Sequence, residues 1–323
     1  MLRWRLFGIS FCIEPSFWLM NALWAYILYV PLMGPRERGQ LITRELLLMM
    51  LLWVLCMLVT VMVHELGHAI TGRIFGQVGN ITLTGLGGQA VGGYGALAPW
   101  QRILTIFAGP GAGFLFVAVI VALDGRSWNF CMEWLELTLQ MPIFDALKCK
   151  WNLIDKINPL LRRGDSPVYI LVMLLLFMMN LFLNIMNLLP IIPMDGGMIF
   201  KEICCLVAPR AGLKFAFGWS FLLAAGCTVY LLVVVLEQYK FIGKIGLYYP
   251  FALPEFSLLI FASLAYQSLQ TFRQLSIMER HAAYMQGDDM SGPRRLSHGV
   301  VEVEPKDPDD FAPRAPGSER PRR

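Results

Sequence analysis

The chain has 323 residues, of which 56% are hydrophobic and 15% charged, and its mean hydropathy is +0.56. A water-soluble domain carries about a quarter charged residues, so an ordinary soluble enzyme is excluded, and so is a chain too polar to collapse. The net charge of +4, from 27 Lys+Arg against 23 Asp+Glu, is too small an excess to indicate a nucleic-acid partner, and no basic patch interleaved with aromatics occurs.

The composition predicts an all-α polytopic membrane protein. A bilayer core of about 30 Å takes about 20 residues as helix, and six segments qualify: 16–33, 46–63 running on past His68, 103–123, 168–189, 215–236 and 256–272. The first follows Arg3 and Arg5 without a small-residue cleavage pattern after it, so it reads as an uncleaved anchor. The stretch 80–97 is too polar and too glycine-rich to span as a helix. It predicts a short sheet or re-entrant hairpin lining a cavity, with an edge onto which another strand can add; a flexible loop is the plainer alternative. In the third span, Ala108-Gly109-Pro110-Gly111-Ala112-Gly113 allows close helix approach with a kink at Pro110, and packing accounts for it. In the fourth, Asn180, Asn184 and Asn187 recur at i, i+4 and i+7. Interhelical hydrogen bonds account for Asn180 and Asn184. Asn187, beside the end of the span, could equally bind a substrate backbone or a developing oxyanion.

Residues 273–323 hold nine Lys+Arg, nine Asp+Glu and six Pro, which predicts a polar, disordered tail. The expected organisation is a membrane domain over 1–272, with a catalytic core at about 46–208, followed by that tail. A small basic excess on the inner segments puts both termini in the cytoplasm. Of the seven cysteines, none form a CxxC pair, and most lie in apolar runs as small buried hydrophobes. Cys131 and Cys149 share one loop, where a disulfide could close.

Two of the four histidines fall in the tail; the other two sit four apart in Val63-His64-Glu65-Leu66-Gly67-His68. On a helix, i and i+4 share a face, so both imidazoles can reach one ion. Glu65 lies about 100° round from His64, which suits a base working beside the ion. The alternative, a chance pair bonded to carbonyls, is weakened by the 18 uncharged residues 46–63 that lead directly into the motif. An ionisable group at that depth costs several kcal/mol without a partner or a function. A catalytic zinc commonly takes three protein ligands. With no third histidine in the membrane part, the candidate is Asp195 in Pro190-Ile191-Ile192-Pro193-Met194-Asp195-Gly196-Gly197, where two prolines end the fourth span and two glycines allow a sharp turn. A helix N-cap is the other reading of Asp195. The second and fourth spans run the same way, so their C-terminal ends meet at one leaflet and bring His64, His68 and Asp195 within reach.

These residues resemble the site-2 protease family of zinc intramembrane proteases, in its six-span sporulation-type branch. The likeness rests on His64-Glu-Leu-Gly-His68, on Asn187 to Gly197, on Leu86-Gly87-Gly88 followed by Ala108-Gly109-Pro110, and on Phe7-Gly8-Ile9 followed by Pro15-Ser16-Phe17. The resemblance implies His64, His68 and Asp195 as ligands of one zinc per chain and Glu65 as catalytic base. Asn187 and Pro193 then belong to the loop near the substrate, with Gly87 and Gly88 in the substrate-binding set. It implies hydrolysis of a membrane-protein substrate in or near its span, a regulatory membrane partner, and a bacterial cytoplasmic membrane. Glu14 stands where relatives often carry histidine, and the polar tail where many carry a regulatory domain. A metal transporter would spread its ligands over several spans at mid-depth. An inactive client-binding relative would not need an intact His64, Glu65, His68 and Asp195, and a soluble zincin would not have such apolar flanks.

Overall fold

The computed structural model describes residues 1–6, 8–29, 44–77, 79–85, 87–91, 97–123, 132, 167–243 and 254–290. In chain order these form β1 (Leu2–Leu6), β2 (Ile9–Ile13), α1 (Pro15–Tyr29), α2 (Arg44–Ile74), β3 (Asn80–Thr84), β4 (Gly87–Val91), α3 (Pro99–Leu123), α4 (Pro167–Asn187), α5 (Asp195–Val207), α6 (Gly212–Gln238) and α7 (Pro254–Met290). The chain divides into two compact units, Met1–Ser276 and Ile277–Arg323. In the second, the described part is helix as far as Met290.

Among the described residues, three helices are long and apolar enough to cross a membrane: Leu46–Ile74, Pro99–Leu123 and Gly212–Gln238, with a shorter apolar helix at Leu171–Asn187. Their burial is inverted relative to a soluble protein. On α2, Leu47, Leu51, Leu55 and Val59 recur every four residues as an exposed stripe, while Thr60, His64, Glu65 and His68 are buried. A surface of leucine around a polar interior is what a lipid solvent selects, and the protein is an integral membrane protein.

The glycine-rich stretch does form a hairpin, β3 antiparallel to β4, but it belongs to a larger four-stranded sheet ordered β1-β2-β3-β4. The N-terminal strands, which the basic flank of the first span conceals, supply the other half: β1 pairs antiparallel with β2, and β2 parallel with β3, Phe11 opposite Ile81. Alternate residues Ile9, Phe11 and Ile13 of β2, with Ile81 and Leu83 of β3, are buried against Phe17 of α1 and Val61 and Ala69 of α2. The sheet is thereby fixed to the helix that carries the histidine pair.

Helix α2 packs against α1, α3 and α4; α3 also against α4 and α5; and α5 against α6. Helix α3 runs through Pro110 without interruption. A second core cluster holds Ile191, from the loop after α4, against Ala224 and Leu231 of α6 and Phe261 and Ala265 of α7. Two expectations change. Helix α7 does not stop at residue 272 but continues to Met290, because Ala, Met, Gln, Glu and Arg favour helix whether or not they can be buried. Gly196 and Gly197 are not a turn but the first residues of α5 after Asp195. A Cβ on either would strike the backbone of Leu188 or Ile191, so glycine here serves close approach. Residues 124–166 (apart from Met132), with the pair Cys131 and Cys149, and the chain beyond 290 lie outside the described residues; Cys12, Cys56, Cys204, Cys205 and Cys227 are free thiols.

Candidate metal centre

His64 and His68 project from one face of α2, as their spacing requires, and Asp195 enters from the first residue of α5. The histidines are 3% and 6% exposed. His64 Nε2 lies 3.1 Å from Asp195 Oδ2, His68 Nε2 lies 3.5 Å from the same oxygen, and the two Nε2 atoms are 3.2 Å apart. Asp195 does not cap its helix: Met194 is the N-cap residue, without a side-chain bond. The carboxylate faces the imidazoles instead.

The hydrogen bonds on the far side of each ring decide what the near side can do. Asn184 Nδ2 donates to the Asn180 carbonyl at 2.5 Å, which leaves its Oδ1 to accept from His64 Nδ1 at 2.9 Å. His68 Nδ1 donates to the Thr105 carbonyl at 2.9 Å. A neutral imidazole carries one N–H, so both Nε2 atoms face inward as lone pairs. Asp195 Oδ2 is enclosed without a hydrogen-bond donor. Three lone pairs in mutual contact repel one another, and a cation among them removes the conflict. Tetrahedral zinc, with bonds of about 2.0–2.1 Å to nitrogen and oxygen, sets its ligands about 3.3 Å apart; the three separations straddle that value. Two imidazoles and a carboxylate are also a donor set found at catalytic zinc. His64, His68 and Asp195 are the only such trio of His, Cys, Asp or Glu among the described residues, and they fit the metal.

Glu65, 5% exposed, lies against the sheet. A Cβ on Gly88 would collide with the Glu65 carboxyl group, so the β4 backbone lies directly on that side chain. Gly87 has a φ of +135° with open space where a side chain would point. Asn187 places its amide nitrogen 3.3 Å from His64 Nε2, at the mouth of the trio. Pro193, which follows a cis peptide bond, is exposed on the α4–α5 loop.

The small-residue run of α3 does more than pack. Gly109 and Gly113 are four apart on its buried face. A Cβ at Gly109 would overlap the His68 ring, and one at Gly113 the Asn184 amide. Spacing alone assigns these glycines and Asn184 to helix contact. The signal is present in the matching four-residue intervals, without anything to say which neighbour each face meets. Two other supports give no signal. Arg102 binds Glu202 through Nε and Nη2 at 2.9 and 2.8 Å and the Leu97 carbonyl through Nη1 at 3.0 Å, which ties α3 and the end of its preceding loop to α5. Ser220 Oγ accepts from the Ile192 N–H at 2.9 Å and pairs with Ser268 at 2.9 Å, so the loop before Asp195 is held by α6 and α7.

Residues 52–224 match the model of peptidase family M50. The chain is 28% identical over 229 residues to a Synechocystis sp. (strain ATCC 27184 / PCC 6803 / Kazusa) protein, sll0528, which carries the name of a zinc metalloprotease; the match covers 66% of this chain and 48% of that one. The chain thus spans about half the length of the curated relative it matches. A solved structure of a site-2 protease from Methanocaldococcus jannaschii matches with a TM-score of 0.45 and 18% identity, over 83% of this chain and 94% of that chain.

Proposed function

This chain belongs to peptidase family M50, and from that premise we propose that it is an intramembrane zinc metalloprotease, cleaving a membrane-protein substrate in or near its transmembrane segment. The observation that carries the reading is the meeting of three buried lone pairs, two from His64 and His68 on a helix long enough to cross a membrane and one from Asp195 at the start of α5. These residues would hold one zinc per chain. When bound, the ion supplies Lewis acidity, which activates water and polarises a carbonyl.

The remaining chemistry belongs to the chain. Glu65 takes the proton of the attacking water and passes it to the leaving amine nitrogen, which completes hydrolysis without a separate acid. Its near-complete burial keeps bulk solvent from competing for that proton. A substrate helix hides its carbonyls in its own hydrogen bonds and must unwind to react. Strand β4, the last in the sheet order, offers backbone groups that replace those bonds by strand addition. Because Gly88 lies on Glu65, a strand added along β4 runs close past the base. Asn187 is placed to donate to the substrate carbonyl, and Pro193 and Gly87 belong to the surface that the substrate crosses.

The finer architecture follows the same reading. Six spans place both termini in the cytoplasm of a bacterial cell, and a membrane partner restrains the activity. Among the described residues, Arg73 lies in the last turn of α2, Arg102 in the first turn of α3, and Arg210 and Lys214 flank the start of α6, against Arg44 at the start of α2 and Lys240 after the end of α6; an excess around the ends that carry His68 and its Thr105 partner favours the cytoplasmic face.

Membrane proteomes from cells expressing the wild type, Glu65→Gln or Asp195→Ala test the proposal. A substrate fragment made by the wild type and absent from both variants is the expected result; a fragment that persists with Glu65→Gln overturns it.

A further inference from the structure

Asn184 is fully buried in a largely apolar helix, where an amide is retained only if its bonds are made. Both ends are committed: Nδ2 to the Asn180 carbonyl and Oδ1 to His64 Nδ1. Since the nitrogen is used by its own helix, the oxygen has to face the ring, and the ring has to carry its proton on Nδ1. Gly113 supplies the room, because a side chain there would displace the amide.

We propose that Asn184 is a positioning residue for the metal centre: it fixes the tautomer and the tilt of His64, so that the Nε2 lone pair points at the position shared with His68 and Asp195. His68 needs no such side chain, because the Thr105 backbone carbonyl does the same for it. The inference rests on the reading of His64 as a metal ligand. It gives the polar stripe of α4 two separate jobs. Asn180, one turn away and equally buried, donates its amide to Thr60 Oγ1 at 3.0 Å. That bond also ties α4 to α2, yet it touches no ligand. Asn180 is therefore the internal control for a purely structural role.

The test uses the purified full chain in detergent, with zinc affinity measured by chelator competition and the visible spectrum of the cobalt-substituted protein recorded alongside. Asn184→Leu, close in shape but without an acceptor, is expected to weaken zinc binding about 10- to 100-fold and to change the cobalt ligand-field bands. Asn184→Asp, which keeps an acceptor facing Nδ1, is expected to restore both. Asn180→Leu is expected to lower the melting temperature while zinc affinity and cobalt bands stay as in the wild type. If leucine at 184 prevents folding, Asn184→Ala carries the same expectation. Unchanged affinity and spectrum in the 184 variants overturn the inference, as does an equal loss in Asn180→Leu. His64→Ala separates the two levels: full zinc retention there overturns the ligand set itself, whereas its loss beside a silent Asn184→Leu overturns the positioning role alone.

Discussion

Glu65 and Gly109 show how much of the centre depends on single atoms. Replacing Glu65 by glutamine keeps the shape and the metal ligands but removes the proton acceptor. Zinc content is expected to stay at the wild-type level while cleavage of a membrane substrate falls by about 100- to 10,000-fold, measured on purified protein in micelles. Gly109→Ala acts from the other side. Its methyl group would occupy the space of the His68 ring, so both stability and zinc binding should drop, the former by about 1–3 kcal/mol, read by thermal unfolding together with metal analysis. The histidine pair and Asp195 are legible in the sequence because their spacing and the apolar run before them leave few other uses for such groups. Gly109, Gly113 and Asn184 are not legible as part of the centre. A residue's spacing gives the helix face it occupies, whereas the neighbour on that face is decided by how three helices come together.

Among the elements, the one that matters most is short. Helix α5 delivers Asp195 from its first residue and is held at two points away from the metal centre, by Arg102 on Glu202 and, through its preceding loop, by Ser220 on Ile192. Arg102→Ala removes a forked charged contact that also engages the Leu97 carbonyl; a destabilisation of about 1.5–3 kcal/mol and weaker zinc binding are expected, the latter because α5 is freed to move. A variant that melts lower yet binds zinc as the wild type would show that α5 is placed by other contacts. Helices α1, α2, α3, α4 and α6 are predictable from runs of apolar residues; α5 and the part of α7 beyond residue 272, where charged residues interrupt the apolar ones, are not. The sheet is half predictable: the glycine-rich hairpin announces itself, but β1 and β2 are five-residue strands, and the parallel pairing of β2 with β3 joins segments separated by the whole of α1 and α2. No local pattern encodes that pairing. It is made by the burial of Ile9, Phe11 and Ile13 beside Ile81 and Leu83.

For the molecule as a whole, the defining feature is the reversal of inside and outside, with leucines on the surface of α2 and two histidines and a glutamate within. That reversal follows from composition alone, because a chain so rich in apolar residues has too few polar ones to cover its surface. Orientation is encoded more weakly, in basic residues around the helix ends. With the metal centre toward the cytoplasm, as proposed, a cysteine introduced at Arg210, which adjoins the start of α6, should react with an impermeant thiol reagent only after the cytoplasmic face is opened. Labelling in intact cells would reverse the topology without touching the chemistry.

The proposed activity depends on the coordination of one zinc by two imidazoles of α2 and the carboxylate of α5. X-ray absorption at the zinc edge of the purified wild-type protein measures it. Two imidazole shells at about 2.0–2.1 Å with oxygen making up the rest, together with loss of bound zinc in Asp195→Ala, are the predicted result. A sulfur shell at about 2.3 Å, fewer than two imidazoles, or undiminished zinc in Asp195→Ala would contradict it.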